Sequence, residues 1–427
     1  MSTTRLDEAI KRTQFDTPAF LKSGALALAA VGLAGWVAAL FTDADAAWRA
    51  FVSNYFFWLG LALGGVMWSV AMRITNARWG RSLMRFAEGT AFYLPVAWVL
   101  FFVLVGGAWA SHVYEWVHHP IPHKETWLNP VNVFARTTLY ITLLVAVFMR
   151  YLYLSLKGDV RPLKQANYAS AFFQRLFGSA TGGEDEWQAV QNRLVRLSPL
   201  TGILYGLLVS LIAFDLLMSM EPFWYSTMFG GFIFMANMLA GMAFLGIICA
   251  TVVRRGQLEA YIGKNQFWDV GKLMFAFTMV WTYLMWSQYL PIWYGNMPEE
   301  IGYVIKRTTG AYENLAWTIL AMVWIVPWWI LLPKTMKWQP KYLALAGVII
   351  CLGLWLMYWM IVIPSQFPHA PVAPAEAVYP GWIDGVANLF FGGLFLASYG
   401  FFLRNVPVLP VGDPVFQDVL EHGSHHH

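Results

Sequence analysis

The chain has 427 residues, 58% of them hydrophobic and only 12% charged, and carries a formal net charge of +4. Soluble domains carry about 25% charged residues, so a water-soluble globule is excluded, and one lipid-embedded domain over 1–427 accounts for length and composition together. The positive excess gathers on one membrane face and is no nucleic-acid footprint, while Cys249 and Cys351, each inside an apolar run, offer no CxxC, CxxCH or metal-ligand spacing, which excludes c-type haem, Fe–S clusters and structural zinc held by this chain.

The first apolar run, Ser23 to Phe41, is followed by Ala44-Asp45-Ala46-Ala47, which resembles a signal-peptide cleavage site. The run exceeds the 7–15 residues of a signal h-region, so a retained first helix is expected. Runs long enough to cross ~30 Å at 1.5 Å per residue fall near 20–41, 50–72, 84–110, 131–155, 199–220, 229–252, 269–291, 312–333, 341–364 and 381–403. The expected fold is therefore all-α: a polytopic membrane protein of about ten transmembrane helices. Abundant Trp, Tyr and Phe suit its membrane interfaces.

Charge tests the count. With the N-terminus on the cytoplasmic side, the outer segments hold only Arg49, Lys124, Arg136, Lys306 and Arg307 of the 28 Lys and Arg. Positive residues favour the cytoplasmic face, and a miscounted helix would scramble the alternation. Both termini are expected in the cytoplasm.

The connections differ in kind. Residues 156–198 form a long cytoplasmic loop, with Ser170–Phe177 and Trp187–Leu197 as short amphipathic helices around a turn at Gly178–Glu186. The outer loops are rich in His and Pro at 111–130 and in Pro and Ala at 365–380. Gly60, Gly64, Gly393, Ala397 and Gly400 allow close helix packing. Pro95 and Pro327, inside the third and eighth runs, each free a carbonyl, giving a kink or a hydrated pathway.

Charges in hydrocarbon are functional candidates by default. Glu88, Arg136 and Asp215 are the ones clearly inside a run. Glu88 lies near the cytoplasmic end of the third helix, where it can snorkel or pair with Arg85. Arg136 and Asp215 each lie ~7–8 Å below the outer surface, an equal depth that makes them a candidate buried ion pair. That pair would act as a structural clamp, or its carboxylate would contact a proton or a quinol.

None of the nine histidines falls in a run, so b-type haem is not expected. The group His112, His118, His119 and His123 is read as an outer loop docking on a partner, with metal binding as the alternative. Thr278, Thr282 and Tyr289 share one helical face and would serve interhelical hydrogen bonds or a water chain. A proton route would enter by Glu88, Asp269 and Lys272, pass the hydroxyls of Thr278, Thr282 and Tyr283, and leave by Asp215 and Glu221. No carboxylate lies near the bilayer centre, so two half-channels bridged by moving water are expected.

Two stretches carry a resemblance. Phe214-Asp215-Leu216-Leu217-Met218-Ser219-Met220-Glu221-Pro222-Phe223-Trp224-Tyr225-Ser226-Thr227 resembles the outer end of a helix in NrfD/polysulfide-reductase-C-like membrane subunits. Gly271-Lys272-Leu273-Met274-Phe275-Ala276-Phe277-Thr278, with Trp286-Ser287-Gln288-Tyr289 and Ile292-Trp293-Tyr294-Gly295-Asn296-Met297-Pro298-Glu299-Glu300, is similar to the shorter NrfD-like subunit of bacterial alternative complex III, a quinol:electron-acceptor oxidoreductase. The ten-run layout and the Asp413-Pro414 tail fit the same subunit.

The resemblance implies two four-helix bundles, helices two to five and six to nine, flanked by helices one and ten. It implies a place in the bacterial inner membrane and, as partners, a multihaem cytochrome c, an Fe–S subunit, the longer NrfD-like sister, a monohaem cytochrome c, small membrane or lipoprotein subunits, and membrane lipid. Quinol, haem c and Fe–S clusters would belong to those partners, leaving this chain without cofactors. Quinone-active members are expected to place a membrane histidine beside the carboxylate; this sequence has none, which favours a scaffold or proton-path role. The rival readings are a quinol-binding subunit and a secondary transporter. Inverted repeats and paired broken helices would argue for the transporter, and the sequence displays neither.

Overall fold

The computed structural model describes residues 2–12, 18, 20–165, 170–255, 258–367 and 378–422, and among them there is no strand. Ten principal helices follow one another: helix 1 Ala25–Thr42, helix 2 Ala44–Ile74, helix 3 Arg81–Ala110, helix 4 Pro130–Gly158, helix 5 Glu184–Met220, helix 6 Met228–Arg255, helix 7 Lys264–Gly295, helix 8 Gly310–Leu331, helix 9 Pro340–Gln366 and helix 10 Trp382–Asn405. The chain is an all-α, multi-pass membrane protein. Among the described residues, 9 of these helices are both long and apolar enough to cross a membrane.

Helix 7 is the exception. Its 32 residues are ample in length, but Thr278, Thr282, Tyr283, Ser287, Gln288 and Tyr289 stand where a lipid-facing span carries aliphatic side chains. It packs along helix 6 all the same.

Helices 2, 3, 4 and 5 form one ring of neighbours and helices 6, 7, 8 and 9 a second; helices 1 and 10 pair and lie against helix 2. The two rings join where helix 2 crosses helix 6. A Cβ on Gly64 would lie 1.8 Å from Asn237 O, and one on Gly241 2.3 Å from Gly64 C, so glycine is what allows the backbones to touch. The helix Ser2–Lys11 packs on Pro414–His422, which marks one end of the bundle as the terminal end.

Three local features differ from simple spans. Helix 3 starts with 3₁₀ turns at Arg81–Leu83 and Gly89–Tyr93 on either side of a short α segment Met84–Glu88, and runs as a regular α-helix from Leu94, so Pro95 falls in a first turn, where its missing N–H is harmless. Helix 8 takes up Pro327 through one π turn at Ala321–Ile325. The segment Trp187–Leu197 is no separate amphipathic helix but the first part of helix 5, whose buried positions Val190, Leu194, Ser198, Thr201 and Tyr205 run at helical spacing straight through Pro199. Gly183 precedes it, and Glu184, Asp185 and Glu186 favour the helix start through the helix dipole.

Candidate functional site

The densest buried polar cluster lies at the terminal end. Helical spacing assembles it. Ser69 and Arg73 are four apart on helix 2, Arg81, Arg85 and Glu88 share a face of helix 3, and Tyr151, Ser155 and Asp159 follow at intervals of four along helix 4. Glu88 and Asp159 are wholly buried, Arg85 is 1% exposed and Arg81 2%.

Arg85 is the hub. It pairs with Glu88 and, at 2.6 Å, with Asp159, and donates to Ser155 O at 2.9 Å. Glu88 Oε1 accepts from Ser69 Oγ and from Ser155 Oγ, each at 2.7 Å. Ser69 Oγ and Tyr151 OH share a hydrogen bond of 2.8 Å, and Arg73 Nε donates to Tyr151 OH at 3.3 Å. Arg73 and Arg81 converge on Asp413 Oδ2 at 3.1 and 3.2 Å. Three guanidiniums thus face three carboxylates, so the buried charge is balanced, as burial of ions requires.

Asp413 arrives from the C-terminal segment. Val406, Val408, Leu409 and Val411 are buried, and Asp413 caps the helix Pro414–His422 by accepting from Val415 N at 3.0 Å and Phe416 N at 3.1 Å. This strap closes the cluster at the terminal end: Gly412 N donates to Asp159 Oδ1 at 2.8 Å, and Trp187 Nε1 donates to Gly412 O at 2.9 Å. Burial pushes the Asp159 carboxyl up to about 6, against the opposing pull of Arg85 and the Gly412 amide. Burial acts the same way on Asp413, but Arg73 and Arg81 outweigh it and hold that carboxyl below its ordinary value.

The opposite end holds two separate ion clusters. Arg136 grips Asp215 bidentately, Nε to Oδ2 at 2.7 Å and Nη2 to Oδ1 at 2.9 Å. Arg136 also donates to Trp127 O at 2.8 Å and stacks on the Trp127 ring at 4.1 Å. The bond ties helix 4 to helix 5. Glu221 meets Lys306 at 2.8 Å and Arg307 at 3.4 Å. Arg307 donates to Met360 O and Ile361 O, each at 3.1 Å, placing a cation at the end of the helix 9 α segment Pro340–Val362, where the dipole favours one.

The remaining candidate residues are not joined to these clusters. Asp269 and Lys272 pair with each other at 2.6 Å on helix 7. Thr278 and Thr282 return their hydroxyls to Phe275 O and Thr278 O of their own helix. Tyr283 is 65% exposed on the outside of the bundle, so it adds nothing to an interior route. Tyr289 stacks between Trp286 and Trp293 at 5.6 and 6.5 Å. An internal polar pair lies elsewhere: Tyr358 OH donates to Asn237 Oδ1 at 2.6 Å beside a cavity of about 20 Å³ between helices 2, 5, 6 and 9. That volume suits about one water molecule.

In the loop 111–130, His118 Nε2 lies 3.1 Å from Ser111 O, and the exposed His112 lies 3.6 Å from Asp45. Among the described residues there is no group of three or more His, Cys, Asp or Glu able to hold a metal ion. His369 and His425 to His427 lie outside the described residues. Trp224 is covered by its own chain, stacked on Tyr303 at 3.7 Å, whereas Tyr225, Trp293 and Tyr294 are exposed.

Sequence reasoning found Glu88, Arg85, Arg136, Asp215 and Glu221 but missed Arg73, Arg81, Asp159 and Asp413 as members of a site. The available signal was the fourfold spacing of polar residues at the ends of three successive runs. No protein-family model matches the chain, and no curated protein matches it either.

Proposed function

We propose that the chain is a cofactor-free membrane subunit of a quinol:electron-acceptor oxidoreductase of the alternative complex III type, holding the assembly in the bilayer and guiding protons. The segments 214–227 and 271–300 support the family part of this reading through their resemblance to NrfD-like subunits. The single observation that carries the proton-guiding part is the wholly buried, hydrogen-bonded Glu88 at one end of the bundle. On this reading the terminal end faces the cytoplasm of a bacterial inner membrane. The multihaem cytochrome c, Fe–S protein, NrfD-like sister, monohaem cytochrome c and small anchoring subunits supply the redox centres and cover the outer surface.

A proton reaching Glu88 would loosen its hold on Arg85, which can then lean on Asp159. Ser69 of helix 2 and Tyr151 of helix 4 offer hydroxyls that pass a proton between these helices, and a water beside Asn237 and Tyr358 would serve the middle. Asp215 and Glu221 stand at the far end. The route is therefore interrupted between Ser69 and Asn237, and only moving water would bridge it. In vesicles holding the assembled complex, Glu88→Gln is expected to lower proton uptake per electron while quinol oxidation proceeds. Unchanged uptake would remove Glu88 from the route and leave the scaffold role.

A further inference from the structure

A different cluster lies at the terminal end of helix 7, where the short helix Lys334–Lys337 turns the chain from helix 8 into helix 9. Lys272 Nζ and Lys334 Nζ lie 4.3 and 4.6 Å from the centroid of the same indole, Trp268, and Lys334 also stands 5.1 Å from the ring of Trp338. The stem of Lys337 crosses Gly271, where an added Cβ would meet its Cγ at 2.8 Å. Lys341, at the start of helix 9, lies over Tyr342 at 4.7 Å.

The charge there is not balanced. Asp269 pairs with Lys272, and among the described residues no carboxylate pairs with Lys334, Lys337 or Lys341. Burial, together with the nearby Lys272, pushes the Lys337 amine below its ordinary value. A preference for positive residues on one face needs only scattered lysines. Asp269 offsets Lys272 alone, and Lys337 Nζ reaches Leu332 O at 3.4 Å and the ring of Phe275 at 5.3 Å, so the corner keeps a net positive charge that a bound anion would offset.

The surface next to the lysines is apolar. From Lys272, the outward positions of helix 7 continue through Ala276 and Val280 to Tyr283, and Trp329 and Leu332 are exposed at the same end of helix 8. A cationic, Trp-lined corner at the head of an exposed apolar strip matches an amphiphile with an anionic head and acyl chains.

We propose that the corner formed by Lys272, Lys334 and Lys337 with Trp268 and Trp338 is a binding site for an anionic phospholipid. The headgroup phosphate sits among the ammonium groups and the acyl chains lie along the strip from Ala276 to Tyr283. The site is independent of the redox reading above. It would fix the start of helix 7 and the turn between helices 8 and 9 against the membrane surface.

The test uses the full chain with whatever partners purify with it, stripped of lipid and titrated with vesicles of phosphatidylcholine alone or doped with phosphatidylglycerol. Retained lipid is measured by mass spectrometry. Wild type is expected to retain phosphatidylglycerol preferentially, and Lys334→Gln and Lys337→Gln each to weaken that preference about fivefold. Arg150→Gln, an exposed cation on helix 4, is expected to leave it unchanged, and a lipid-free melting temperature equal to that of wild type certifies each variant's fold. Equal retention of the two lipids, or an equal loss in Arg150→Gln, would overturn the proposal. Displacement of the lipid by millimolar inorganic phosphate would overturn it as well, leaving a phosphate site instead.

Discussion

Gly412 donates its backbone N–H to Asp159 Oδ1 at 2.8 Å, joining the C-terminal strap to the end of helix 4 across more than half of the chain. The approach is close enough that a Cβ on Gly412 would lie 2.0 Å from Gly158 O. Gly412→Ala must therefore lift the strap or bend the end of helix 4. A cost of ~1–3 kcal/mol is expected, the range for forcing atoms into a packed interior. Limited proteolysis of the purified chain checks this, with the helix Pro414–His422 released faster in the variant than in wild type.

Asp159 and Asp413 respond oppositely to pH. The Asp159 carboxyl, raised to about 6, contributes stability that is complete below its unfolded value and lost as pH rises through about 6. Asp413, held below its ordinary value, contributes stability present above its unfolded value and lost as pH falls toward its folded one. Between roughly pH 4 and 6 the Asp159 contribution is the one that changes, given an unfolded Asp value near 4 and a folded value of about 6. The melting temperature should fall across that window in wild type, and the Asp159 share of the fall should vanish in Asp159→Asn. Identical slopes in the two proteins would show that Asp159 does not titrate there.

Arg136 and Asp215 form a bidentate pair between helices 4 and 5 in which Asp215 is 1% exposed. Neutralising one partner strands the other charge, so Arg136→Gln or Asp215→Asn should each cost ~3–5 kcal/mol. Replacing both with apolar residues of similar volume should recover much of that loss. Thermal unfolding of the three variants distinguishes the outcomes. Asp215→Asn with assembly, stability and turnover all unchanged would dismiss the clamp and the proton role together.

Helix positions were legible in the sequence because apolar runs are long and helical rise is fixed. The same metric brought Arg136 and Asp215 to one depth from sequence alone. Helix 7 has the length of a span, but its hydroxyls and Gln288 set it apart from the other nine principal helices. Trp187–Leu197 is continuous with helix 5 rather than a separate helix, because the buried periodicity runs straight across Pro199. The Glu88 cluster was half legible. Arg73 and Arg81 look like the ordinary positive charges of a cytoplasmic loop, Asp159 looks like a loop residue, and Asp413 lies far away in the chain. Only tertiary contact turns these four into one buried network. Thr278, Thr282 and Tyr289 follow helical spacing, but spacing alone does not tell which face of helix 7 meets the bundle, and Tyr283 lies on its exposed side.

The central claim is that this membrane subunit works beside redox partners that carry the haem and Fe–S centres. Affinity purification of the full chain from its native membrane, in mild detergent, tests it most directly by the visible spectrum of the eluate and its quinol oxidation. The account expects haem c absorbance and Fe–S protein in stoichiometric amount with the chain, and quinol-dependent reduction of those haems. A chain that elutes without haem-bearing polypeptides, and whose vesicles instead accumulate a solute, would contradict it.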